Sequence, residues 1–280
     1  MNNHVRSAAY SARNHAPEWI EKFARFGIAA KGAVYVLIGV LAAMAAFGQG
    51  GSTGGQENAF QWVVQQPFGQ ILLGIVIIGL LGYVVWRMIM AFKDPDGYGS
   101  DAKGLAKRAG FFFSGLVYLF FAFSAARMLF SELGSSGSGG GQETLIAKAL
   151  QQPFGQILVG IFAVIVICKG LYQLYRGVAG KFKGQVNERT MSREEHAVYT
   201  RSGRVGYIAR GIVFAILGYF LVQAALQSDA SEAGGTGEAL NFLSSTGGPY
   251  IMGAVAIGLA AYGVFMFVKS KYRYIPNVHV

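Results

Sequence analysis

The chain has 280 residues, 53% of them apolar and 14% charged, with a net charge of +10 and a mean hydropathy of +0.39. So apolar a composition excludes an ordinary soluble domain, and a single cysteine, Cys168, excludes an internal disulfide framework. The excess of base is distributed as membrane topology requires, which removes the nucleic-acid reading that the charge would otherwise invite.

Residues 1–23 are expected to form a cytoplasmic or interfacial segment, and the first 27 residues lack the short apolar core and small-residue cleavage site of a signal peptide. Within APEWIEKFARFG, Trp19, Ile20, Phe23 and Phe26 share one helical face after Pro17, which predicts a helix lying in the membrane interface. Six apolar runs of about 20 residues follow, each long enough to cross a hydrocarbon core of ~30 Å. The first is Ile28 to Phe47, trailed by a glycine-rich link and the segment GGQENAF with Glu57. The octapeptide QQPFGQIL at 65–72 leads into the second, Phe68 to Met90. The third is Gly110 to Phe130; another glycine-rich link then carries Glu143 in GGQETLI, and the same octapeptide returns at 151–158 before the fourth, Phe154 to Tyr175. The fifth, Gly206 to Leu226, is followed by Glu238 in GTGEALN, and the sixth is Gly248 to Val268. None of the six contains an Asp or Glu, as the cost of a carboxylate in hydrocarbon demands.

All of the 24 Lys and Arg except Arg127 and Lys148 lie on one side of these spans or near their ends on that side. That side is therefore expected to be cytoplasmic, with both termini inside, in a bacterial inner membrane.

A sequence repeated at an offset of 86 residues marks a duplicated unit. The first helices read ARFGIAAKGAVYVLIG from Ala24, KRAGFFFSGLVYLFFA from Lys107 and GRVGYIARGIVFAILG from Gly203. They share R-x-G-x4-G-x2-[YF]-x3-[GA]. The second helices share Gly74, Gly160 and Gly253, and end in Tyr83/Trp86, Tyr172/Tyr175 and Tyr262/Phe265 if about three residues are inserted mid-helix in the second copy. Three tandem two-helix repeats result, at 24–95, 96–185 and 186–280. The predicted fold is an all-α integral membrane protein, its three repeats entering from the same side and closing into a pseudo-threefold bundle. Pro67 and Pro153 are expected in the first turn of the returning helix, with the neighbouring glutamines satisfying free amides.

These residues resemble the bacterial membrane family catalogued as domain of unknown function 1206. The resemblance extends from Ala24 to Lys269 and rests on the threefold recurrence of the helix start and the glycine-rich link, with the P-[FY]-G corner in the first two copies. It implies six spans in three pairs and brings no catalytic residue or cofactor. Two features depart from the pattern: Ser114 stands where the other copies carry Lys31 and Arg210, and the third copy has SSTGGP in place of the corner.

Several residues are candidates for function. Arg25, Arg108 and Arg204, with Lys31 and Arg210 deeper, can form a positive ring for anions or lipid phosphates, or simply snorkel and fix topology. Lys169 is a further cation well inside a span. Glu57, Glu143 and Glu238 can form an acidic outer ring, or serve helix starts. Tyr35, Tyr118 and Phe214 are candidates to line the axis or to pack the core. His4, His15, His196 and His279 all lie outside the spans, and neither a P-loop nor an H-E-x-x-H sequence occurs, so no cofactor, metal or catalytic residue is expected. The favoured reading is a non-enzymatic scaffold that organises anionic inner-leaflet lipids or a protein partner through a basic face. The alternative is a passive channel or carrier for a small anionic solute along the axis.

Overall fold

The structure, a computed structural model, describes residues 18–132, 146–147, 149–152, 154–182, 186 and 188–273. Seven helices are described: α1 Glu18–Ala46, α2 Gly55–Val64, α3 Gly69–Phe92, α4 Ala102–Glu132, α5 Gly155–Val178, α6 Arg193–Gln227 and α7 Thr236–Tyr272. All but the short α2 are long and apolar enough to cross a membrane, where only structures that satisfy their own backbone polar groups persist. The segment expected to form an interfacial helix near the N-terminus is helical from Glu18 and continuous with the rest of α1. Phe23 and Phe26 on it are exposed; the side chains of Trp19 and Ile20, and all of Glu143, lie outside the described residues.

The octapeptide builds the corner between α2 and α3. Pro67 is not in the first turn of α3: the helix is capped by Phe68 in the left-handed region (φ 60°), and Phe154 does the same for α5 (φ 64°). Pro153 is outside the described residues. The glutamines also act differently from expectation, since Gln66 Nε2 donates to the Trp62 carbonyl at 3.2 Å, at the end of α2. Glycine is required next because a Cβ on Gly69 would collide with the Val63 and Val64 carbonyls, and one on Gly155 with the Ala149 carbonyl. The third repeat reaches the same bend by other means: Gly248, at φ 79°, breaks α7 just before Pro249. Gly69→Ala is therefore expected to cost about 1–3 kcal/mol in thermal unfolding of the purified protein. Gly74→Ala, with nothing within 4 Å of its added Cβ, is expected to be neutral or to gain up to about 1 kcal/mol from helix propensity.

The six long helices pack in the order α4, α3, α1, α7, α6, α5, each antiparallel to its neighbours. The R-x-G-x4-G helix start explains these contacts. Its first glycine packs within a repeat: Gly27 lies on the Gly82–Tyr83 backbone of α3, and a Cβ on Gly206 would meet the Tyr262 Cα at 2.5 Å. Its second glycine packs between repeats, Gly32 against Gly263, Gly115 against Met88 and Gly211 against Leu174. Small residues of this kind let backbones touch where lipid supplies no hydrophobic drive. Gly79 and Gly82 of α3 join this packing, whereas Gly74 and Gly160 face open space.

The expected closed threefold ring is not complete. Among the described residues no packed interface joins α4 to α5, the two helices of the second repeat, and Gly110 has nothing within 4 Å of an added Cβ. The ring is open along that seam. The side-chain register of the second repeat also differs from expectation. Helices α3 and α5 each have 24 residues from the same corner, and Gly69, Leu73, Leu80, Val84 and Ala91 correspond in burial to Gly155, Val159, Val166, Gly170 and Gly177 without any gap. Tyr172 and Tyr175, matched to Tyr83 and Trp86 by an inserted gap, are instead exposed on the outside. The extra residues belong to the link between the helices, and in the ungapped register Lys169 takes the place of Tyr83 and Gln173 that of Arg87.

Candidate functional site

Apolar side chains fill most of the bundle interior, but near its middle a column of bases breaks through. Lys31 of α1 is 3% exposed and Arg210 of α6 is 7% exposed. The Lys31 ammonium donates to the Tyr83 hydroxyl at 3.0 Å and lies 4.5 Å from the Tyr118 ring centre and 4.7 Å from that of Tyr83. Arg87 donates to the same hydroxyl through Nε at 2.7 Å and also through Nη2. The Arg210 guanidinium faces Tyr262 at 4.3 Å, Tyr35 at 5.0 Å and Phe214 at 5.2 Å, and Lys169 reaches the same Phe214 ring at 4.7 Å. Lys169 is accessible through the open seam even though its ammonium points inward.

The aromatic rings bind this cluster together. Tyr35 meets Tyr262 edge-on at 4.9 Å, Tyr83 meets Tyr118 at 4.7 Å, and Tyr207 joins Tyr262 at 5.6 Å. Cation–π attraction is worth about 2 kcal/mol where water is excluded, which partly offsets the several kcal/mol that burying each cation costs. No carboxylate completes the balance, because the spans contain none. Arg210, Arg87, Lys169 and Lys269 are all close enough to repel the Lys31 ammonium. Among the described residues, Arg210 Nε and Gln173 Nε2 are buried donors with no acceptor, and such groups are rare in folded proteins. An unpaired cationic centre lined with free donors is chemically suited to an anion.

The structure thus brings together Lys31, Arg210, Lys169, Tyr35, Tyr118 and Phe214. It does not add Arg25, Arg108 and Arg204 to them. Arg25 donates to the carbonyls of Ser270 at 3.0 Å, of Lys271 and of Arg273 at 3.3 Å, which caps α7. Arg108 caps α3 through Ala91 O at 2.8 Å and Phe92 O at 3.2 Å. A guanidinium at a helix C-terminus satisfies orphan carbonyls and the dipole together, so Arg108 stitches the second repeat to the first and Arg25 the first to the third. Arg204 is exposed. At the opposite end Glu57 is exposed in the first turn of α2, and Glu238 accepts from Gly235 N at 2.7 Å as a helix start.

Sequence reasoning passed over Arg87 and Gln173 as site residues. The signal was present: the ungapped octapeptide alignment sets Gln173 opposite Arg87 and Lys169 opposite Tyr83, so the second repeat supplies from its second helix the cation that Ser114 omits from its first.

Fold and site together define a multi-pass, all-helical membrane protein of three tandem repeats with an aromatic-lined cationic centre. The family model described as Domain of Unknown Function (DUF1206) matches residues 26–94, 109–180 and 205–273. The chain belongs to that family. It is similar to an uncharacterised protein of Bacillus subtilis (strain 168), YxxB, with 36% identity over 257 residues that cover 91% of this chain and 92% of that protein. No solved structure matches the chain.

Proposed function

We propose that the protein is a non-enzymatic membrane protein that holds an anionic group in its cationic centre, organising anionic membrane components rather than conducting a solute. In this reading the basic end of the bundle faces the cytoplasm of a bacterial inner membrane, which the positive-inside distribution of Lys and Arg supports. The observation that carries the reading is the meeting of Lys31, Arg87, Lys169 and Arg210 around shared aromatic rings with no carboxylate among them. A phosphate-like oxyanion supplies both the missing charge and acceptors for the unpaired Arg210 and Gln173 donors.

What argues against a conduit is the filling of the axis. Tyr35, Tyr83, Tyr118 and Tyr262 are buried in one continuous core, which Phe60 of α2, 1% exposed, also joins. Purified protein titrated with inorganic phosphate in detergent is expected to unfold at a higher temperature, by about 2.7 kcal/mol of stabilisation at 100 times the dissociation constant. Reconstituted in liposomes, it is expected to leave phosphate and chloride flux at background. A flat titration would remove the anion site; salt-sensitive flux would restore the channel or carrier reading.

A further inference from the structure

The seam between α4 and α5 is written into the sequence. In the first repeat Ala30 of α1 sits against Gly79 of α3, and in the third Ala209 of α6 sits against Gly258 of α7, with a Cβ on that glycine only 2.5 Å from the Ala209 methyl. The corresponding pair in the second repeat is Phe113 and Ile165, which are 60% and 56% exposed. Two small residues allow helices to interlock; a phenyl and a branched aliphatic chain at the same place hold them apart. The second repeat is also the one that moves its cation to Lys169, on the helix that borders the opening.

Lys169 is exposed along the seam while its ammonium turns inward to the Phe214 ring, and a lysine well inside a span is costly unless an anion meets it there. Exposed Phe113 and Ile165 border the seam as apolar walls, and Lys169 with the buried Arg210 and Gln173 behind it forms a cationic floor, so an occupant that matches both is apolar along most of its length and anionic at one end. A free oxyanion satisfies the floor but not the walls. The donors on the floor lie at one level: Gly211 abuts Leu174, so the helical turn bearing Arg210 faces the turn bearing Gln173, a residue 5% exposed whose Nε2 has no acceptor.

We infer that the α4–α5 seam is a lateral binding site for one anionic phospholipid, its phosphate drawn to Lys169, Arg210 and Gln173 and its acyl chains lying along Phe113 and Ile165. The inference rests on the anion-site reading and adds the source of the anion and the route it takes. Charge complementarity selects an anionic lipid over a zwitterionic one, because the floor already carries uncompensated positive charge.

The test uses the full chain, delipidated in a neutral maltoside detergent, with three probes: phosphatidylglycerol, phosphatidylcholine and inorganic phosphate. Phosphatidylglycerol is expected to raise the unfolding temperature at far lower concentration than inorganic phosphate, to leave one lipid per chain in native mass spectra, and to outcompete phosphatidylcholine. Lys169→Gln, at an accessible position, is expected to weaken phosphatidylglycerol binding at least about tenfold, with Lys169→Arg restoring most of it. The double change Phe113→Ala with Ile165→Gly recreates the Ala–Gly pair of the other repeats and is expected to close the seam, losing phosphatidylglycerol while keeping the response to phosphate. Stabilisation by phosphate without any by phosphatidylglycerol overturns the lipid inference and leaves the anion site standing. Unchanged phosphatidylglycerol binding in Lys169→Gln places the lipid elsewhere and also overturns it. No response to any probe removes both.

Discussion

Gly27→Leu and Gly206→Leu are expected to prevent stable folding, whereas Gly110→Leu, at the equivalent place in the second repeat, is expected to be tolerated. A Cβ on Gly27 would stand 2.7 Å from the Tyr83 Cα, and one on Gly206 would meet Tyr262 at 2.5 Å, in both cases against backbone that has no rotamer to yield. A leucine must therefore push α1 from α3, or α6 from α7. The expected cost exceeds the roughly 3 kcal/mol of ordinary overpacking, because the whole interhelical contact is lost. That is a large share of a typical stability of about 5–15 kcal/mol. At Gly110 no atom lies within 4 Å, and leucine replaces a poor helix former, which gains about 1 kcal/mol or less. The measurement is the yield of monodisperse protein and its unfolding temperature in detergent. Equal damage at all three glycines would mean that α4 and α5 are packed and that the seam does not exist.

The same asymmetry shows what the sequence could and could not reveal. The six spans, their pairing into repeats and the place of each corner follow from apolar run length and from the octapeptide's recurrence, both of which report local backbone needs. The corner's glycine is an example: Gly69 is demanded by two carbonyls only a few residues earlier in the chain. Closure of the ring was not legible, because threefold recurrence of R-x-G-x4-G promises three equivalent contacts while each contact needs a partner on another helix. Gly110 keeps its half of the motif, but Cys168 stands where α3 carries Gly82 and Ile165 where it carries Gly79, and only the ungapped alignment of α5 on α3 exposes that loss. The likeness of Tyr172 to Tyr83 in the gapped register masks it, and with it the exchange of Ser114 for Lys169. The arginines misled for a related reason. Arg25 and Arg108 look like an anion ring when only charge is counted, but their guanidiniums are committed to carbonyls at the ends of α7 and α3.

Replacement of the two most buried cations separates structural from binding roles, and here competing magnitudes decide the expected sign. The Arg210 guanidinium has lost water on all sides at a cost of several kcal/mol, and its three neighbouring rings at 4.3, 5.0 and 5.2 Å return about 1–2 kcal/mol each. These terms nearly cancel. In anion-free buffer Arg210→Met, which keeps a flexible apolar stem in place, is therefore expected to change stability by less than about 2 kcal/mol, whereas Arg210→Ala opens a cavity and costs about 2–5 kcal/mol. Lys31→Met is expected to behave alike, although it also strips the Tyr83 hydroxyl of one of its two cationic donors. The response to phosphate is a different matter. Each lost charged donor is expected to weaken phosphate about tenfold or more, and the double change Lys31→Met with Arg210→Met is expected to abolish the phosphate-dependent rise in unfolding temperature. If the double variant instead unfolds at much lower temperature without phosphate and still responds to it, the two cations are structural pillars that the rings hold for their own sake. The acceptor for Arg210 Nε would then have to be sought in ordered water rather than in a bound anion.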